Sequence, residues 1–107
     1  MNDKVTALLG FASKAKKLVS GESAVDAILK KGQARLIILA EDVSPNFIRK
    51  YTLWCKDEDV PVLSFGTKIS LGIAVGLSPR GVIAVTDENF AQGILNAGGF
   101  SAKKSGS

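Results

Sequence analysis

The chain has 107 residues, of which 46% are hydrophobic and 22% charged, and its lysines and arginines exceed its acids to give a net charge of +4. That length and apolar content suit one domain with a single core, and they exclude a largely disordered chain. One cysteine and no histidine exclude an internal disulfide, the usual zinc sites and the usual proton shuttle near neutral pH.

Helical and strand patterns alternate along the chain. Val5, Leu8, Leu9 and Ala12 recur at i, i+3, i+4 and i+7, one face of a helix for which Asn2 or Asp3 is the expected cap. Leu18-Val19 reads as a short strand. Ala24, Val25, Ile28 and Leu29 form the next apolar helix face, and Gly32 stops it after Lys30-Lys31, cations suited to a helix C-terminus. Residues 34–40 are a continuous apolar run of strand length, the pattern of a central strand buried on both faces. Ser44-Pro45 reads as an N-cap with proline at the first helical position, and Phe47, Ile48, Tyr51 and Cys55 form the expected buried stripe, with Trp54 at its margin.

Asp57-Glu58-Asp59 reads as an acidic turn before a strand over residues 60–65. Thr67 can cap a short helix through Leu71, Gly72, Ala74 and Val75, and residues 81–85 form a further strand. Asp87 opens a last helix through Phe90, Ile94 and Leu95, which Gly98-Gly99 ends. The expected fold class is α/β: a three-layer α-β-α sandwich with helices on both faces of a short, mixed four-stranded sheet. The domain is expected over residues 1–98, with residues 99–107 as a flexible tail.

Charge is distributed unevenly. Residues 1–35 carry seven basic groups against three acids, residues 36–66 three against five, and residues 67–107 four against two. Lys14, Lys16 and Lys17 crowd four positions, and Ser20-Gly21 follows directly before a helix-periodic run. Such a place can hold phosphate twice over, by side-chain charge and by the unpaired N–H groups of the first helical turn at Gly21–Ser23. RNA is the partner this implies. Arg80 lies in a turn-rich loop between Pro79 and Gly81, where a functional cation is plausible.

Features of enzymes are sparse. There is no Gly-rich phosphate loop and no nucleotide fingerprint, and no cofactor or metal is expected. Glu41-Asp42 could be a catalytic carboxylate pair, but adjacent residues at a strand end usually point apart, and a polar loop is the plainer reading. No apolar run is long enough to span a membrane and no secretory signal is visible, so a cytoplasmic monomer is expected.

The stretch Leu39-Ala40-Glu41-Asp42-Val43-Ser44-Pro45 is followed by Cys55, by Val60-Pro61-Val62 and by Leu71-Gly72-Ile73-Ala74-Val75-Gly76. As an ordered set these resemble the kink-turn RNA-binding ribosomal proteins, the L-seven-Ae and L-thirty-e superfamily, over about residues 5–94. Leu8-Leu9-Gly10-Phe11-Ala12 and Leu18-Val19-Ser20-Gly21 look most like its small bacterial, YlxQ-like members. The resemblance implies an α-β-α sandwich whose RNA face joins the starts of the second and third helices to the loop before the last strand. It places Gly21, with Glu22 and Ser23, at the start of the family's Gly-x-Asn-Glu-x-x-Lys motif, Ile48 at an apolar contact on the third helix, and Ser78 and Arg80 in the loop that packs on flipped-out bases. Ser23, Ala24 and Ala27 stand where the Asn, Glu and Lys read the sheared G·A pairs. The chain thus keeps the residues that position RNA and loses most of those that specify it. Lys14, Lys16 and Lys17 complete the expected site. The alternative is a protein-interaction module on the same fold with weak or no RNA binding.

Overall fold

A computed structural model describes residues 3–99. The elements in order are α1 (Asp3–Lys14), β1 (Leu18–Ser20), α2 (Glu22–Lys30), β2 (Leu36–Leu39), α3 (Pro45–Glu58), β3 (Val62–Ser64), α4 (Lys68–Ala74), β4 (Val82–Val85) and α5 (Glu88–Ala97). The sheet has the order β1-β4-β2-β3. β4 is antiparallel to both β1 and β2, with Ser20 and Ile38 flanking Ile83, while β2 and β3 run parallel. The sheet is therefore mixed and four-stranded, as the sequence implies.

Alternation along β2 and β4 divides the interior in two. Leu36, Ile38, Ile83 and Val85 face α1, α4 and α5, packing with Val5, Leu9, Leu71, Ala91 and Ile94. Ile37, Leu39, Val82 and Ala84 face α2 and α3, packing with Val25, Leu29, Tyr51 and Cys55. All eight residues of these two strands are buried, because both faces of the sheet are covered.

Local chemistry sets the helix ends. The hydroxyl of Ser44 accepts from the Phe47 N–H at 3.2 Å, with Pro45 at the first helical position. Thr67 and Ser70 form a reciprocal capping box, and the Asp87 carboxylate accepts from the Phe90 N–H at 2.9 Å. Asp3 lies inside the first turn of α1, and Asn2 is outside the described residues. Of the expected tail only Gly99 is described.

Two expectations need correction. Asp57 and Glu58 belong to the last turn of α3, and Asp59 alone makes the turn by adopting the left-handed conformation, with φ of 58°. Aspartate tolerates that conformation better than most side chains, so the helix runs past the first acids. Ile48 is not in the core. The buried stripe of α3 follows Phe47, Tyr51, Trp54 and Cys55, and Ile48 sits one step round the helix, 36% exposed.

Candidate nucleic-acid interface

β1 ends where α2 begins, with Gly21 as the hinge. Its φ of 89° and ψ of 154° belong to a region open chiefly to glycine, and a Cβ there would meet nothing within 4 Å. The conformation, not crowding, requires glycine. The Gly21 N–H donates to the Val82 carbonyl at 3.0 Å, which ties the hinge to β4. This N–H is thus occupied, contrary to the expectation that it holds phosphate. No side chain caps α2, so the open donors of its first turn are the N–H groups of Glu22, Ser23 and Ala24.

Those groups line a shallow groove of about 380 Å3 with Ser20, Gly21, Pro79, Arg80 and Gly81. Its opposite wall is the loop between α4 and β4. Arg80 is fixed there by neutral groups alone: Nε donates to the Ser20 hydroxyl at 3.0 Å, and Nη1 donates to the Ser78 hydroxyl at 2.7 Å and to the carbonyls of Ser78 and Pro79 at 3.2 Å each. Among the described residues, no carboxylate forms an ion pair with it. A partly buried, oriented and uncompensated guanidinium beside three free N–H groups is suited to a phosphate, because both features favour an anion in one place.

The loop is held by close packing. A Cβ on Gly72 would overlap the Ser78 carbonyl and stand 2.9 Å from that of Leu77, so glycine lets the loop fold back onto α4. The Arg80 N–H donates to the Lys68 carbonyl at 3.0 Å, and the Lys68 N–H donates to the Asp42 carboxylate at 2.9 Å. Asp42 therefore anchors the start of α4. The Glu41 N–H donates to the Gly66 carbonyl at 2.8 Å, so the Glu41-Asp42 pair acts as a structural loop. Gly81 lies against α3: a Cβ there would stand 3.4 Å from the Phe47 ring and 3.1 Å from Val43. The first turn of α3, which carries Ile48, is thereby set beside the groove.

A charged cluster joins α2 to α3 at the groove margin. Lys50 Nζ lies 2.9 Å from the Asp26 carboxylate and 3.3 Å from that of Glu22, and 4.8 Å from the centre of the Tyr51 ring. The Tyr51 hydroxyl donates to Asp26 at 2.6 Å. The hydrogen bond to Asp26 dominates in raising the Lys50 pKa, whereas burial chiefly raises that of Tyr51. Trp54 stacks on Tyr51 with ring centroids 6.4 Å apart, a packing role. Cys55 is buried and its thiol is pushed up to about 11, first by burial and then by the charge of Glu58, so it is an inert core residue.

The structure gathers Gly21, Glu22, Ser23 and Arg80 into one groove, with Ser78 behind it as a partner of Arg80 and Ile48 on the adjoining turn of α3. It does not bring Lys14, Lys16 and Lys17 there. The Lys17 carbonyl accepts from the Thr86 N–H at 2.9 Å, at the opposite end of β4 from Val82. Four residue steps of extended chain lead from Lys17 to Gly21, about 13 Å at the usual rise. Ser20, Lys50 and Lys68 were missed from sequence. None of them carried a local signal of its place there.

A larger hollow of about 680 Å3 lies at the far end of the sheet, among Leu29, Arg35, Cys55, Lys56, Val60 and Glu88. It mixes both signs of charge and converges on no reactive group. Among the described residues, no group of three or more His, Cys, Asp or Glu side chains is placed to hold a metal ion, and no helix is long and apolar enough to cross a membrane.

An α-β-α sandwich whose uncapped helix start faces a glycine-packed loop carrying an arginine defines a class of fold with a groove suited to an anion. Within it, the sequence profile of the Ribosomal protein L7Ae/L30e/S12e/Gadd45 family matches residues 3–94, and the chain belongs to that family. It is 38% identical over 89 residues to the RNA-binding protein YlxQ of Bacillus subtilis (strain 168), covering 83% of this chain and 89% of that one. It is 27% identical over 88 residues to the large ribosomal subunit protein eL8 of Thermoplasma volcanium, covering 81% and 73% respectively. Among solved structures, a protein with unknown function from Bacillus halodurans superposes with a TM-score of 0.84 at 33% identity, covering 88% of this chain and 95% of that one. The Giardia lamblia 15.5kD RNA binding protein shares the fold, with a TM-score of 0.76 at 23% identity over 90% and 82% of the two chains.

Proposed function

We propose that this chain is a non-catalytic, cytoplasmic RNA-binding protein that acts as a monomer. It holds a kink-turn or similarly bent internal loop of ribosomal or regulatory RNA by phosphate and shape contacts. The observation that carries the reading is Arg80, oriented by Ser20 and Ser78, in no ion pair among the described residues, and set against the open N–H groups of Glu22, Ser23 and Ala24. Its relatives' names, an RNA-binding protein and a ribosomal subunit protein, support the same class.

The mechanism is shape selection. Phosphates brought close by a sharp bend occupy the groove between Arg80 and the start of α2. Ile48 and the loop from Leu77 to Gly81 cover bases that the bend unstacks. Ser23 keeps one hydrogen-bonding side chain, while Ala24 and Ala27 offer none to a base edge. The chain therefore relies on backbone geometry more than on base identity.

A second reading, a protein-interaction module, draws on α4, where Ile69 and Ile73 are 63% and 73% exposed. A titration decides between them: a kink-turn RNA and its unkinked duplex counterpart, each at two salt concentrations. The expected result is tighter binding of the kinked RNA, with affinity falling as salt rises. Equal affinity for both removes kink selectivity, and no binding of either removes the RNA reading.

A further inference from the structure

We propose that Glu22 is an internal competitor for phosphate that attenuates the groove by holding Lys50 out of it. The inference rests on the RNA reading of this groove and concerns the side opposite Arg80. Glu22 lines the groove, and its carboxylate lies 3.3 Å from Lys50 Nζ. Lys50 is also bound to Asp26 at 2.9 Å. Two carboxylates on one ammonium leave this corner with one surplus negative charge, at the very turn whose open N–H groups favour an anion.

The two acids have different work. Asp26 accepts the Tyr51 hydroxyl at 2.6 Å and Lys50 together, so it joins α2 to α3 and belongs to the packing. The Glu22 side chain is 56% exposed, and Lys50 is the partner of its carboxylate. An acid in the first turn of a helix favours that helix, which is the plainer reason for a glutamate there. That reason gives no account of the bond to Lys50. Lys50, on α3 and outside the groove's lining, is kept on carboxylates by Asp26 at 2.9 Å and Glu22 at 3.3 Å. Incoming phosphate must displace Glu22 to reach it, and meets like charge in doing so.

RNA binding by Glu22→Gln, Lys50→Gln and the double variant tests this with the same kinked and unkinked RNAs, with urea unfolding as a check on folding. Glu22→Gln is expected to bind roughly three- to tenfold more tightly at low salt, with a slope of log affinity against log salt steeper by about one, because the surplus charge is gone and Lys50, left on Asp26 alone, can turn a second N–H to a phosphate. Lys50→Gln alone is expected to weaken binding by no more than about threefold, since its charge is already engaged but its loss leaves both carboxylates unpaired beside the groove. The double variant is expected to return the salt slope to that of the unaltered protein. Unchanged affinity and slope in Glu22→Gln overturn the inference, as does a loss in Lys50→Gln comparable to that of removing Arg80. An unaltered protein that binds neither RNA overturns the underlying RNA reading instead.

Discussion

The guanidinium of Arg80 takes its orientation from Ser20 at 3.0 Å and Ser78 at 2.7 Å, using different nitrogens for each. A lysine at this position can supply charge but not that forked geometry. Arg80→Gln is therefore expected to weaken RNA binding about tenfold at low salt and to flatten the salt slope by about one. Arg80→Lys should restore the slope while recovering little of the affinity, and fluorescence anisotropy at several salt concentrations separates the two. Wild-type affinity in Arg80→Gln would sink the role assigned to this residue. The cation was legible in sequence because a proline and a glycine flank it. Its partner Ser20 was not, because nothing local in Val19-Ser20-Gly21 announces a residue sixty positions away.

Among the elements, legibility followed the range of the forces. Ser44, Thr67 and Asp87 cap their helices through contacts three residues away, so short-range chemistry revealed them. The buried strands showed themselves as apolar runs. The order β1-β4-β2-β3 and the cluster of Lys50 with Glu22 and Asp26 depend on contacts more than twenty residues apart, and no periodicity encodes them. Ile48 was misplaced because a helix stripe read from spacing alone admits either neighbour at its edge. The loop before β4 is decided by Gly72, where a methyl group would overlap the Ser78 carbonyl. Gly72→Ala is expected to cost roughly 2 kcal/mol, since neighbouring backbone must move to admit the new atom. Urea unfolding measures that cost. The same variant should bind RNA more weakly, because Ser78 and Arg80 move with the loop; unchanged stability and binding would show that the close packing is unimportant.

At the scale of the molecule, positive charge is spread over two ends. Arg80 occupies the groove, whereas Lys16 and Lys17 sit at the start of β1, and α2 runs back along β1 to bring Lys30 and Lys31 to the same end. RNA held in the groove must extend along the β1 and α2 side to meet these lysines, which is the path their positions offer. Lys16→Ala with Lys17→Ala lowers the net charge from +4 to +2 by removing two of the lysines counted in the sequence. It is expected to flatten the salt slope by up to about two while leaving the preference for kinked over unkinked RNA intact. A pair of titrations checks this, and an unaltered slope would confine the RNA to the groove. The pairing of β1 with β4 also orders events in time. Ser20 is synthesised sixty residues before Arg80, and the Gly21 hinge waits for the Val82 carbonyl. A chain still emerging from the ribosome has lysines to attract RNA but no groove to grip it. On the proposed reading, binding of RNA in the groove thus reports that translation of the domain has passed β4, and fragments ending before β4 lack the means to compete for that RNA.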